Sequence, residues 1–559
     1  MKLLPITMPL RGLNTVNPDV PFDSGYAREF SNLAIVNARV IGRPGIKTLY
    51  RNLTVNSAVS WFDPDALTGI VTSTGQLTSM TGSSAPFGGI GGACLYPATT
   101  FKHASIEVLC GCREPRQTAD PYTSHGFTST VITMTAVRAG CSYKGRPFFT
   151  DGTTVIYGDI GQVTGAIATD GLSGGSFDVS KLLAGQICVR LFALTAQPGN
   201  NANTIFVAFG AQGKVLVYSG GWPDSDDWQL IGDYSMPQLS STVSFIELDG
   251  DLIIGTTDYP YSFQDLFSGG PKAAYDNRIS APIDNLWRSL YWSNDALNPG
   301  TWNAEELPAA FRLQQLTRED NGTIARSFDA LCFRCSHNRF SRLNRVADYG
   351  SDATILVYFR QYKAWAVWFT FPYWYPIRPW AANPNSGPIG SYKASIAQFN
   401  SDRWIDEYIT NTSTLQKQIY ASWKTPFASI YEGKNQKVSG VRTFFAEGSE
   451  VGVDSPFKAE INKVKSIFDY SDSNSPWGFW TQPNVGYYPL EPAKSGEATI
   501  SIAESTSQTY TALANPGGTG GCVGFQFVLT QNSTQPADYT YFQEIFAATA
   551  LIEDGGVKF

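Results

Sequence analysis

The sequence predicts an all-β protein: a β-propeller with an additional C-terminal β-sandwich-like domain and an N-terminal platform or closing segment. Three observations predict it. Only 16% of the 559 residues are charged, against about a quarter in an ordinary globular chain, while 13% are aromatic and 52 glycines and 32 prolines punctuate the chain. Helical periodicity is nearly absent. Runs of β-branched and aromatic residues recur between turn signals from about residue 55 to 425, and some of them resemble one another at blade-sized intervals. A prior of about 100 to 200 residues per domain suggests about three units, drawn here as 1–55, 56–425 and 426–559.

The first unit contains GLNTVNPDVPFDSGYAREFSNLAIVNARVIGRPGI, residues 12–46. It holds two asparagine-rich turns, an amphipathic stretch over Tyr26 to Ile35 that reads as a short helix, and a corner at Gly42 to Gly45. Pro44 fixes its own backbone angle and Gly45 tolerates a turn, so the corner redirects the chain into the first blade. A second short helix is expected over Ala304 to Leu316, with Pro308 near its start.

In the second unit, strands are expected at Thr154 to Tyr157, Thr204 to Ala208, Lys214 to Tyr218, Leu252 to Gly255 and Ala353 to Phe359. The stretch 244–263 reads as two strands joined at Asp249 and Gly250, and 352–372 as two strands around a tight turn near Gln361. Three segments look alike: 153–163, 213–232 and 286–307, each an apolar strand ending in Tyr and then a polar turn. Their tyrosines, Tyr157, Tyr218 and Tyr291, are 61 and 73 residues apart, room for about four strands of ~5 to 6 residues with loops. A propeller of about five to eight blades fits that spacing. Beyond residue 425 the composition changes. A basic turn leads into a strand within 431–448, strands follow at Ala498 to Ala503 and Gly524 to Thr530, and the terminal YFQEIFAATALIE reads as a last strand or a short helix.

Function classes fall away in turn. The formal charge of −7 and the pI near 5.2 do not suit a sequence-reading nucleic-acid binder, which carries a basic face. Pro5 and Pro9 interrupt the opening apolar run, so no signal-peptide core of ordinary length is expected. No window offers about 18 consecutive apolar residues, so no membrane span is expected. Eight irregularly spaced cysteines fit reduced thiols better than a disulfide framework.

Candidate chemistry is sparse. Three histidines, His103, His125 and His337, leave few components for a triad or metal mechanism. Cys332, Cys335 and His337 could hold zinc as a thiolate pair with an imidazole, but no fourth ligand is identifiable and buried free cysteines are common in cores. SNDALNPGTW, residues 293–302, resembles an Asp-box turn with a displaced glycine, and that box is itself a structural turn. Asp224, Asp226 and Asp227, or Asp469 and Asp472 with Asn474, could bind calcium, although such residues more often stabilise turns by their own hydrogen bonds. Trp365, Trp368 and Trp374 could form a sugar-binding platform or serve packing. The glycines at 88, 89, 91 and 92 lack the strand and helix of a phosphate cradle, and no GxxxxGK[ST], HExxH or GxSxG motif occurs. The expectation is therefore no catalytic residues, no cofactor and no metal.

Several stretches together resemble the tail nozzle proteins of short-tailed bacteriophages, also called tail tubular protein B or packaged-DNA stabilisation proteins. They are Gly12 to Thr15, Gly25 to Ala27, Asn32 and Gly42 to Gly45, then YKGRPFF (143–149) with VIYGDIG, the YSG-to-Trp228 segment, and LDGDLIIGT. The DNR-to-LYWSN segment, YKAWAVW (362–368) and GKNQKVSGVRTFF (433–445) complete the series. The resemblance implies a non-enzymatic virion protein assembled in the host cytoplasm: a ring of usually six copies beneath a tail adaptor. It would close the DNA channel and conduct the genome at ejection, with contacts to tail fibres and without sequence-specific DNA binding. The strands of residues 12–46 are then expected to pair with the C-terminal domain or to close the propeller. The rival expectation is a receptor- or glycan-binding, or glycan-cleaving, tail propeller.

Overall fold

The computed structural model describes residues 1–16, 20–43, 45–51, 99–111, 126–168, 173–195, 204–248, 250–291, 308–314, 329–335, 352–372, 421–431, 434–446, 522–529 and 544–557, with shorter pieces, mostly single strands, between them. All structural statements concern these residues.

Among the described residues, seven sheets of three or more strands follow one another along residues 45–417 and make the β-propeller, with a two-stranded parallel pair, Phe127–Thr128 and Gly165–Ala166, beside the third. The first contains Val59–Asp63, Thr68–Val71 and Leu77–Ser79; the second, Thr99–His103, Ile106–Cys110, Arg116–Gln117 and Asp120–Ser124. The third contains Ala139–Tyr143, Arg146–Thr150, Thr154–Tyr157 and Gly175–Asp178; the fourth, Cys188–Thr195, Thr204–Gly210, Lys214–Ser219 and Gln229–Ser235. Phe245–Leu248, Asp251–Gly255 and Pro260–Ser262 form the fifth, and Ala309–Gln314, Asp329–Arg334, Asp352–Phe359 and Ala364–Pro372 the sixth. The seventh combines strands of 375–417 with Gly45–Arg51, which pairs antiparallel with Ser395–Asn400. An early strand thereby completes the last sheet and closes the circle.

The sheets are radial. First strands of consecutive sheets pack together: Thr99–His103 on Ala139–Tyr143, and Ala139–Tyr143 on Cys188–Thr195. The third, fourth and fifth sheets bury both faces. Along Thr204–Gly210, Phe206 and Ala208 join the core shared with the third sheet, whereas Ile205, Val207 and Phe209 join the core shared with the fifth. Successive side chains of a strand point oppositely, so a strand buried on both faces reads as an unbroken apolar run. That is why Thr154–Tyr157 and Lys214–Ser219 were legible. Tyr157 and Tyr218 hold equivalent places, each on the third strand of its sheet and each opposite a phenylalanine of the second, Phe148 and Phe206.

The third supposed repeat is different. LWRSL lies in a helix, Asp284–Leu290, with Leu286, Trp287 and Leu290 buried on one face and Tyr291 at its end. The outer position of the fifth sheet is taken by a helix, Phe263–Asp276, broken at Gly270 and Pro271 and capped by Ser262, whose hydroxyl accepts from the Asp265 N–H. The two helices expected from periodicity are not formed. Tyr26 to Ile35 is instead a series of short strands, Tyr26–Ala27, Glu29–Ser31 and Leu33–Val36, because Asn32 adopts φ 52°, which no helix accommodates. Residues 309–314 of the second form a strand, and 304–307 lie outside the described residues.

The C-terminal region contributes Lys434–Ala446 and Glu544–Val557, paired antiparallel in an eight-stranded sheet, and Ala421–Lys424, Val523–Leu529 and Lys463–Phe468 in an eleven-stranded sheet shared with the sixth blade. The terminal segment is thus a strand. Val441 and Ala550 from one sheet and Trp423 and Phe527 from the other enter one core, a sandwich-like arrangement. No helix among the described residues is long and apolar enough to cross a membrane.

Candidate functional site

The N-terminal segment meets the sixth blade and both C-terminal sheets in one joint. Lys2–Ile6 and Arg39–Gly42 pair with Glu544–Val557 in the eight-stranded sheet. Glu29–Ser31 lies between Ala364–Pro372 and Ala421–Lys424 in the eleven-stranded sheet. Gly45–Arg51 then enters the seventh blade and not, as expected from the sequence, the first, because its ladder partner is Ser395–Asn400; the change of sheet itself falls at the expected corner. Pro44 itself lies outside the described residues.

Asn32 and Arg43 form the centre of this joint. Asn32 donates its N–H to the Val367 carbonyl at 2.8 Å and accepts the Arg43 N–H at 2.8 Å. Its side-chain oxygen accepts from Arg43 Nε at 3.0 Å and from the Phe369 N–H at 2.8 Å, and Arg43 Nη2 donates to the Phe369 carbonyl at 2.5 Å. Arg43 is 1% exposed. A planar guanidinium with fixed donors suits such a role, and an asparagine tolerates the left-handed backbone that aims its oxygen inward.

Neighbouring contacts extend the joint. Gly12, at φ +67°, lies against Trp365, where a Cβ would come within 2.4 Å of the backbone oxygen. Trp365 Nε1 donates to the Ile279 carbonyl and Trp368 Nε1 to the Leu33 carbonyl, both at 2.7 Å. The Ala38 N–H donates to the Tyr362 hydroxyl at 2.8 Å, and Thr15 and Asn285 exchange hydrogen bonds. Glu29 and Lys424, paired in register, form a buried ion pair at 3.1 Å. Sequence reasoning singled out Asn32 and Arg43 but missed their shared partner, Phe369, and missed the Glu29–Lys424 pair altogether. Nothing local in the sequence marks a pair so far apart in the chain.

The predicted chemical candidates resolve differently. Cys332 and Cys335 are buried in the core beside this joint, and burial pushes both thiols well above their ordinary range, which favours the protonated form over a metal-binding thiolate. His337 lies outside the described residues, as do His125, Asp469, Asp472, Asn474, Trp374, residues 293–302 and the glycines at 88, 89, 91 and 92. His103 is buried between the second and third blades, with Nδ1 2.9 Å from Ser142 Oγ and Nε2 3.0 Å from the Gln162 carbonyl. A carbonyl only accepts, so Nε2 carries a proton.

Asp224, Asp226 and Asp227 belong to a turn. The Ser225 hydroxyl is 2.6 Å from an Asp227 oxygen, which also accepts the Gly221 N–H at 2.9 Å, while Asp224 accepts from Tyr157. Those hydrogen bonds from Ser225 and Gly221 hold the Asp227 carboxyl below its ordinary range. The sugar platform is corrected: Trp365 and Trp368 are fully buried, with their indole N–H groups bonded to backbone, and offer no face to a ligand. Among the described residues no group of three or more His, Cys, Asp or Glu side chains is arranged to hold a metal ion. Six described cysteines are free thiols.

The joint can therefore bind elements together. No family model matches the chain, and no curated protein matches it. Among solved structures it is similar to BBS1N in a complex with ARL6DN, at 9% identity and TM-score 0.31 over 65% of this chain and 97% of that one. Another is Drosophila Semaphorin 2a, at 9% identity and TM-score 0.30 over 78% of this chain and 93% of that one.

Proposed function

We propose that the chain is a structural protein of the tail nozzle of a short-tailed bacteriophage. Identical copies, six by family expectation, form a ring below the portal and its adaptor, close the DNA channel and conduct the genome at ejection. The protein is non-enzymatic and works in the virion tail.

One observation carries this reading. Several of the stretches that bear the resemblance, separate in sequence, meet in a single joint: Gly12, Asn32 and Arg43 from the N-terminal segment against Trp365, Val367 and Trp368 and the adjoining Phe369, with Lys434–Ala446 one strand beyond, while the stretches at 143–161, 218–228 and 248–256 lie in the third, fourth and fifth blades. Residues that define an architecture are expected to hold elements together, and a virion part works by holding its shape. The charge balance agrees with a conduit. Each Lys or Arg contact to phosphate would add affinity through counterion release and slow a moving duplex, and a chain of net charge −7 offers few of them.

The test is electron microscopy of the purified protein with its adaptor partner. Closed rings stacked on the adaptor are expected, together with no turnover of host polysaccharide. A persistent monomer that fails to join the adaptor, or catalytic release of sugar, overturns the reading, and sugar release would favour the glycan-active alternative.

A further inference from the structure

We propose that residues 1–51 form a releasable strap, a conformational device that couples closure of the propeller to the seating of the C-terminal sheets. The inference is independent of the nozzle reading.

The argument starts from pairing. Strands of this segment enter three separate sheets, and among the described strands no other backbone ladder connects those sheets. Among the described strands Glu29–Ser31 is the sole ladder bridge between the sixth blade and Ala421–Lys424. Each body keeps ladders of its own without it. The four strands of the sixth blade pair among themselves, as do Ala421–Lys424, Val523–Leu529 and Lys463–Phe468, and likewise Lys434–Ala446 with Glu544–Val557. In the seventh blade Tyr375–Pro376, Ile389–Tyr392 and Ser395–Asn400 pair without Gly45–Arg51, whereas Glu407–Tyr408, itself paired with Gln416–Lys417, joins the blade among the described strands through Gly45–Arg51. Withdrawing the strap parts Glu407–Tyr408 from the blade and uncovers Phe30, Leu33, Ile35 and Ile41 of the shared core, but it leaves the remaining ladders of the blades and of the C-terminal sheets paired, so it costs less than global unfolding.

The strap leaves as one piece because its anchors interlock. Asn32 orients Arg43, Arg43 and Asn32 both hold Phe369, and Gly12 presses on Trp365 of the same strand. Losing Asn32 leaves the buried Arg43 Nε and Phe369 N–H without their common acceptor, and such unsatisfied groups are costly. Residues 39–51 pass from the eight-stranded sheet to the seventh blade across Arg43, so release at one end is transmitted to the other.

Hydrogen exchange of the full-length chain, read by mass spectrometry, tests this with Asn32→Ala and, from the other end of the strap, Gly12→Ala. Both variants are expected to lose protection by at least about tenfold, together, over 2–6, 29–42 and 45–51 and over the opened strand 395–400, with 204–219 unchanged. Should either variant fail to fold, the wild-type chain in denaturant below its unfolding transition is expected to open the same set first. Loss confined to the neighbours of each substitution overturns the proposal, as does loss at 204–219 in step with the strap.

Discussion

In the sheets spanning residues 139–262, strands that are neighbours along the chain are neighbours in space, most of them joined by short connections. In the joint, the strand of residue 29 lies between those of residues 367 and 423 although more than three hundred positions separate it from both. The blades are held by stacked apolar faces such as Phe148, Phe206 and Tyr218, whereas the joint adds a buried Asn–Arg pair and a buried Glu–Lys pair. The difference teaches a division of labour. Apolar faces stack without directional demands, while buried polar pairs tolerate one geometry and leave costly unpaired groups in any other. Local pairing also forms readily, whereas the joint must bear the loop-closure entropy of almost the whole chain.

The largest way to probe this contrast is to empty one core on each side. Trp368→Ala removes a fully buried indole and its bond to the Leu33 carbonyl; Phe206→Ala empties the seam between the third and fourth blades. Each is expected to cost about 3–5 kcal/mol in chemical denaturation. The Trp368 change should loosen the N-terminal strands first, the Phe206 change the blades. A cost below about 1 kcal/mol at Trp368 would remove the joint from the stabilising framework.

A smaller effect separates backbone strain from close packing. Gly12 and Gly161 have nearly the same φ, +67° and +71°, but Gly161 has no atom within 4 Å of a would-be Cβ, whereas Gly12 meets backbone at 2.4 Å. Gly161→Ala should cost about 1 kcal/mol from the left-handed backbone alone, and Gly12→Ala distinctly more. Equal melting-temperature losses would contradict the close approach.

The smallest effect is electrostatic. Asp329 is partly buried, which raises its carboxyl, but hydrogen bonds from Arg312 and the charges of Arg312 and Arg360 outweigh burial and hold it below its ordinary value. A carboxylate lowered in the folded state contributes fully above about pH 4 and loses its contribution as pH falls through the folded value. Asp329→Asn should therefore lower the melting temperature slightly near neutrality and converge with wild type in acid. A gap that widens in acid would reverse the assigned sign.

The contrast also explains what was legible. Lys214–Ser219 and the hairpin of 352–372 could be read because doubly buried strands are continuous β-branched runs and their turns are local. Tyr26 to Ile35 misled because Asn32 interrupts its apolar residues, and the reason for that break is a partner at Phe369. LWRSL imitated a strand because its aromatic and leucine residues suit either element, and tertiary packing of Trp287 decided for helix. The helix Phe263–Asp276 was hidden by Gly270 and Pro271, which ordinarily end one. At the candidate site, Gly12, Asn32 and Arg43 stood out in the sequence, but their common strand did not, since nothing local marks a contact across more than three hundred residues.

The central claim, that these separated residues act as one joint, is tested most directly by a double-mutant cycle on Asn32→Ala and Arg43→Met, read by equilibrium denaturation. A coupling energy of about 1–3 kcal/mol is expected, because either change alone already strands the shared hydrogen bonds. Additive costs, with coupling below about 0.3 kcal/mol, would mean that the two residues hold their surroundings separately and would contradict the account.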